Sequence, residues 1–197
     1  LGQVIGSGNY SLIANYNELF SVANEGHSET VFDVEYTGAE GGGYGCLVCL
    51  EGNAGPGFQG IRQYDGPVYG DGNSYNLPTQ NLYDAFSPFD VRRSATILDL
   101  EAFIAEQANP ESISYAIGAG GHTGYYNNKY IKRQDELGLP DNDLTSPVNY
   151  RVIRYADVLL MAAEAQYQTG NSGLAQQYLN QVRLRSGNQP ISISSID

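Results

Sequence analysis

Apolar and polar positions alternate from Thr30 to Tyr36, with Phe32, Val34 and Tyr36 on one side and Val31, Asp33 and Glu35 on the other. This two-residue period predicts a half-buried strand, and Asn24-Glu25-Gly26 supplies the turn before it. The period changes near the end of the chain. From Val152 to Gln168 nearly every position is apolar except a stripe of Arg154, Asp157, Glu164 and Gln168, which predicts a helix buried on its other sides. Gly170 can take the left-handed angle that stops it, and Ser172 is placed to cap a second helix. That helix shows Ala175, Tyr178, Leu179 and Val182 on one face, Gln176, Gln177, Asn180 and Arg183 on the other, and ends at Gly187. Two helices joined by so short a turn form a helical hairpin. Arg154 and Asp157, three apart, read as an ion pair that positions it.

Weaker signals fill part of the rest. Leu1 to Ile5 reads as the tail of a helix and Tyr16 to Phe20 as a helical turn. Thr79 is an N-cap for a helix carrying Leu82, Ala85 and Phe86 and ended by Pro88. Asp90 caps another turn with Arg92 and Arg93, Leu98 to Glu106 reads as a helix, and Lys129 to Arg133 as a strand. Residues 38–76 hold 12 of the 24 Gly and lack a helical period, with Tyr44, Tyr64, Tyr69 and Tyr75 punctuating them. So long a loop region inside a domain is usually functional or disordered, and its aromatic content favours function. A second Gly and Tyr cluster runs from Gly118 to Tyr126, and residues 135–147 form a polar loop.

Composition narrows the chemistry. The chain has 197 residues, 16 Tyr, no Trp and a formal net charge of −12, enough length for a real core. Residues 1–91 carry 11 acidic side chains against one basic, Arg62. Such a surface repels phosphate backbones and anionic bilayers, so nucleic acid is excluded as a partner and a neutral ligand fits best. No run of about 18 apolar residues exists to span a membrane. Cys46 and Cys49 sit in an apolar run hemmed by Gly. Only His27 and His122 are at hand to complete a zinc site, so buried thiols or a local disulfide are the readings kept. Asp71-Gly72-Asn73 and Asp141-Asn142-Asp143 lack the full oxygen set of a calcium loop. No nucleophile motif stands near either His, so no cofactor, metal or catalytic group is expected.

The ordered motifs resemble the SusD/RagB family. They are Arg154-Tyr155-Ala156-Asp157-Val158-Leu159-Leu160-Met161, Ala163-Glu164-Ala165, Gly170-Asn171, and Tyr178-Leu179-Asn180-Gln181-Val182-Arg183 with Arg185. Ser7-Gly8-Asn9-Tyr10-Ser11-Leu12 upstream is similar to the same family, as are Pro78 to Phe86 with Asp90, Arg92 and Arg93, and Lys129-Tyr130. The resemblance implies a mainly α fold: a helical superhelix with a tetratricopeptide-type hairpin, long irregular loops and a few short strands. In that pattern small residues such as Ala163 and Ala175 let paired helices approach closely. It also implies a non-catalytic, lipid-anchored protein of the outer-membrane surface, which captures oligosaccharides for a SusC-like TonB-dependent transporter. The chain, opening at Leu1 and closing on Asp197, is expected to be an internal piece, with the anchor outside it.

The expected division is residues 1–149 as a loop-rich ligand region, 150–187 as the hairpin and 188–197 as a tail. Sugar rings pack their C–H faces on aromatic rings and offer hydroxyls at the edge. Tyr64, Asp65, Tyr69, Asp71, Asn73 and Tyr75 supply that mixture and are the expected glycan-binding residues, although a platform without Trp is weaker. A glycosidase would need two carboxylates at fixed separation, and the sequence marks no such pair. A protein-docking module built on the hairpin is the other alternative.

Overall fold

The computed structural model describes residues 1–38, 43–118, 121–137 and 144–195. Its helices are α1 (Gly2–Gly6), α2 (Gly55–Gln59), α3 (Gln80–Asp84), α4 (Arg92–Thr96), α5 (Leu100–Ala105), α6 (Tyr155–Gln168) and α7 (Ser172–Arg185). The strands are β1 (Thr30–Val34), β2 (Ile61–Arg62), β3 (Asp71–Gly72), β4 (Ile97–Asp99), β5 (Tyr125–Asn127) and β6 (Tyr150–Arg154), paired as β1–β6, β2–β3 and β4–β5. No described helix is long and apolar enough to cross a membrane.

Contacts divide the chain into two units. The first is Leu1–Val34, Ser87–Arg92 and Arg151–Asp197. The predicted hairpin is its centre, though α6 begins three residues later than the apolar pattern suggests. Val152 and Ile153 belong to β6, and the helix starts where the Arg154 backbone N–H donates to Asp157 Oδ2 at 2.8 Å. Gly170, at φ 84°, stops α6 as expected, while the cap of α7 is Asn171 rather than Ser172. Ala163 and Ala175 are both buried. The core joins Tyr155, Val158, Leu159 and Val182 to Val4, Tyr10 and Val31, which is why the N-terminal segment clusters with the hairpin.

Charge completes this unit. Glu29 is fully buried, and its carboxylate accepts from Arg154 at 2.9 Å, from Arg185 at 2.6 Å and from the Ile13 N–H at 2.9 Å. The expected Arg154–Asp157 pair is present at 3.6 Å, but the shorter bond runs to Glu29. The alternation in β1 is also reversed from what hydropathy predicts. Phe32 and Val34 are exposed, while Asp33 points inward to the buried Arg151 at 3.2 Å. Arg151 also donates to the Leu19 carbonyl, so a buried cation sets which side of the strand faces in.

The second unit is Glu35–Phe86 and Arg93–Tyr150. Its core is Ile61, Tyr64, Tyr69, Leu98, Leu100, Tyr126 and Ile131. Here the described part of the glycine-rich stretch carries the short elements α2, β2 and β3 between turns. A Cβ on Gly72 would sit 2.5 Å from the Gly60 backbone, so the parallel β2–β3 pair closes only because both positions lack side chains. Leu98 to Glu106 splits into β4 and α5 with Asp99 as the cap, and the strand expected at Lys129 to Arg133 lies earlier, at β5. Strand β4 pairs antiparallel with β5, Leu98 opposite Tyr126. Cys46 and Cys49 form a disulfide beside the exposed Leu47 and Val48. Asp141 to Asp143, weighed above for calcium, lie outside the described residues, and no metal-ligand cluster occurs among the described residues.

Candidate functional site

A hollow of about 470 Å³ opens on the second unit where α3, the segment before it and the end of β5 converge. Its sides come from elements with clear local causes. Thr79 Oγ1 accepts from the Leu82 N–H at 3.2 Å and starts α3, which places Leu82 on the wall. Asn76 stands at φ 57°, a left-handed angle that Asn tolerates better than most residues. Asn127 is the keystone: its amide N–H donates to Gln59 Oε1, and its Oδ1 accepts from the backbone N–H groups of Lys129 and Tyr130 at 3.0 and 3.1 Å. That turn presents the Tyr130 ring, braced against Tyr150 with ring centroids 5.2 Å apart and planes inclined by 29°. Tyr150 remains 49% exposed.

The lining therefore combines two aromatic rings with amides, two threonines and Lys129. Flat apolar faces and short polar groups around one opening suit a polyol ring. No carboxylate lines the hollow among the described residues.

The six residues expected from the sequence do not gather in one place. Tyr64 and Tyr69 are 5% and 6% exposed and meet edge to face at 5.8 Å. Burial pushes both phenols above their usual range. These two rings pack in the core of the unit, and Tyr69 also lines a smaller hollow together with Tyr83 and Arg93. Asp65 pairs through its backbone with Ser114. Asp71 Oδ1 accepts from the Gln63 N–H at 2.5 Å, and the Asn73 N–H donates to the Gly57 carbonyl. Of the three tyrosines among the six, Tyr75 carries an open ring, 56% exposed and stacked on Phe58 at 6.2 Å; it directly precedes Asn76. Lys129-Tyr130 and Thr79 stand out in the sequence as motif residues, but nothing there joins them to Tyr150. The pairing of Tyr130 with Tyr150 across the fold carries no local signature.

The SusD family profile matches residues 3–197. A laminarin-binding SusD-like protein is 36% identical over 95% of this chain and 41% of its own, with a TM-score of 0.80. Surface glycan-binding protein A from Bacteroides thetaiotaomicron, solved in complex with laminarihexaose, is 26% identical with a TM-score of 0.85, covering 96% of this chain and 42% of its own. Its counterpart from Bacteroides fluxus is 25% identical with a TM-score of 0.83, covering 97% and 40%. The chain thus spans about two-fifths of the length of these solved relatives. No curated protein sequence matches it.

Proposed function

The chain belongs to the SusD family, and from that premise we propose that it is the glycan-capturing part of a non-catalytic surface protein. The observation that carries this reading is the open Tyr130–Tyr150 pair over a hollow lined by amides, threonines and Lys129, in a fold whose solved relative holds laminarihexaose. The ligand is a neutral oligosaccharide of the laminarin kind. One sugar ring stacks on Tyr150, and its hydroxyls exchange hydrogen bonds with Asn76, Thr79 and Lys129. Tyr75, Asp71 and Asn73 are assigned to the approach to this site. No bond is broken; the protein holds the ligand and releases it.

Delivery to a SusC-like TonB-dependent transporter, and a place on the outer-membrane surface through a lipid anchor, are the roles the family resemblance suggests. The α6–α7 hairpin acts as a tetratricopeptide-type scaffold, and the second unit carries recognition. Isothermal titration with laminarihexaose tests the reading. The protein should bind it, release no reducing sugar on prolonged incubation, and lose about tenfold in affinity on Tyr150→Ala, as expected for one stacking ring with its hydrogen bonds. Binding unaffected by Tyr150→Ala would place the site elsewhere.

A further inference from the structure

A second hollow lies in the same unit, about 360 Å³ in volume, and it uses the next residue along from the first on three separate segments. On α3, Leu82 faces the first hollow and Tyr83 the second; after β5, Asn127 faces the first and Asn128 the second; before β4, Thr96 faces the first and Ile97 the second. The two openings therefore share one dividing wall. The Tyr83 ring is stacked on Tyr125 at 4.6 Å with planes 13° apart, and the Tyr125 hydroxyl is tied to Gln80 Oε1 at 3.2 Å. The Arg93 guanidinium lies 4.9 Å from the Tyr83 centroid. Arg93 makes no ion pair among the described residues, although Asp99 and Glu106 line the same hollow.

A guanidinium laid on an aromatic ring keeps its in-plane N–H groups for a ligand. Such a fork matches two adjacent hydroxyls of a sugar, and nearby carboxylates accept hydrogen bonds from further hydroxyls. Charged partners make these bonds roughly twice as strong as neutral ones. An anionic group would gain from Arg93 and lose against Asp99 and Glu106, so the lining selects a neutral polyol. We infer that the Tyr83–Arg93 hollow is a second glycan subsite, separate from the Tyr130–Tyr150 hollow and filled by a further sugar unit of the same oligosaccharide lying across the shared wall. This rests on the glycan-binding reading above and adds that ligand length is sensed at Arg93.

Titration of laminarihexaose and of the corresponding disaccharide against the protein and its Arg93→Gln and Tyr150→Ala variants tests it, with thermal melts confirming that each folds. The hexasaccharide should bind more tightly than the disaccharide. Arg93→Gln should lose about tenfold for the hexasaccharide, the value of a hydrogen bond to a charged group, and leave the disaccharide unchanged. Tyr150→Ala should weaken both. Arg93→Lys, which keeps charge but not the fork, should behave like Arg93→Gln. Equal affinity of Arg93→Gln and the parent for the hexasaccharide, or an equal loss for both sugars, overturns the second subsite while leaving the first intact. Failure of the parent protein to bind either sugar overturns both readings.

Discussion

At the scale of single residues, two buried carboxylates decide how the first unit holds together. Glu29, itself fully buried, is met by two guanidinium groups. Removing one partner of a buried ion network leaves the remaining charges desolvated and uncompensated, which costs more than the network contributes. Glu29→Gln keeps the shape and an acceptor for Ile13 but not the charge, so urea unfolding should show a loss of about 3 kcal/mol. Asp90 is the second. Burial pushes its carboxyl up, but hydrogen bonds from Arg92 and Asn188 outweigh that and bring it from 3.8 to about 2. A lowered folded value stabilises the protein above the unfolded value and loses that contribution as pH falls through the folded one. The unit should therefore lose roughly 2 kcal/mol between about pH 4 and pH 2 through this group. Urea titrations along that range should show an acid loss smaller by this amount in Asp90→Asn.

At the scale of elements, glycine does more than loosen loops. Gly60 and Gly72 let β2 and β3 approach until no Cβ fits. Gly72→Ala should cost about 2 kcal/mol, because backbone rather than a movable side chain is in the way; the midpoint of thermal unfolding would report it. This also explains what hydropathy could and could not reveal. The hairpin was legible because apolar positions recur at helical spacing in each stretch, and Gly170 and Gly187 punctuate it where the left-handed angle is needed; the expected burial of α6 outside its polar stripe does not hold, since Leu160, Met161 and Tyr167 are exposed. Strand β6 was not, since Val152 and Ile153 continue an apolar run into α6 and only the Arg154–Asp157 cap divides them. Strand β1 was legible in its alternation but misleading in its polarity, because its inner face answers to Arg151, over a hundred positions away in sequence. The candidate site shows the same limit. Tyr64 and Tyr69 look like ligand aromatics beside Gly and Asp yet pack the core. Tyr130 and Tyr150 meet only through the fold.

At the scale of the molecule, charge and recognition separate. The formal net charge is −12, whereas the first hollow is lined, among the described residues, by Lys129 and no carboxylate. A neutral glycan entering it sheds no counterions, so its affinity should barely change with salt. An anionic glycan meets two opposed effects. Lys129 attracts it at contact, and the overall field repels it during approach. The repulsion dominates at low ionic strength, where the Debye length is roughly 30 Å at 0.01 M, and fades as that length falls to about 10 Å at 0.1 M. Titrations over that range should give a flat profile for laminarihexaose. A uronate oligosaccharide of equal length should bind more weakly at the low-salt end and approach the neutral ligand as salt rises. If the acidic ligand instead bound more tightly at low salt, local attraction by Lys129 and Arg93 would outweigh the field of the whole protein, and the neutral-ligand reading would give way.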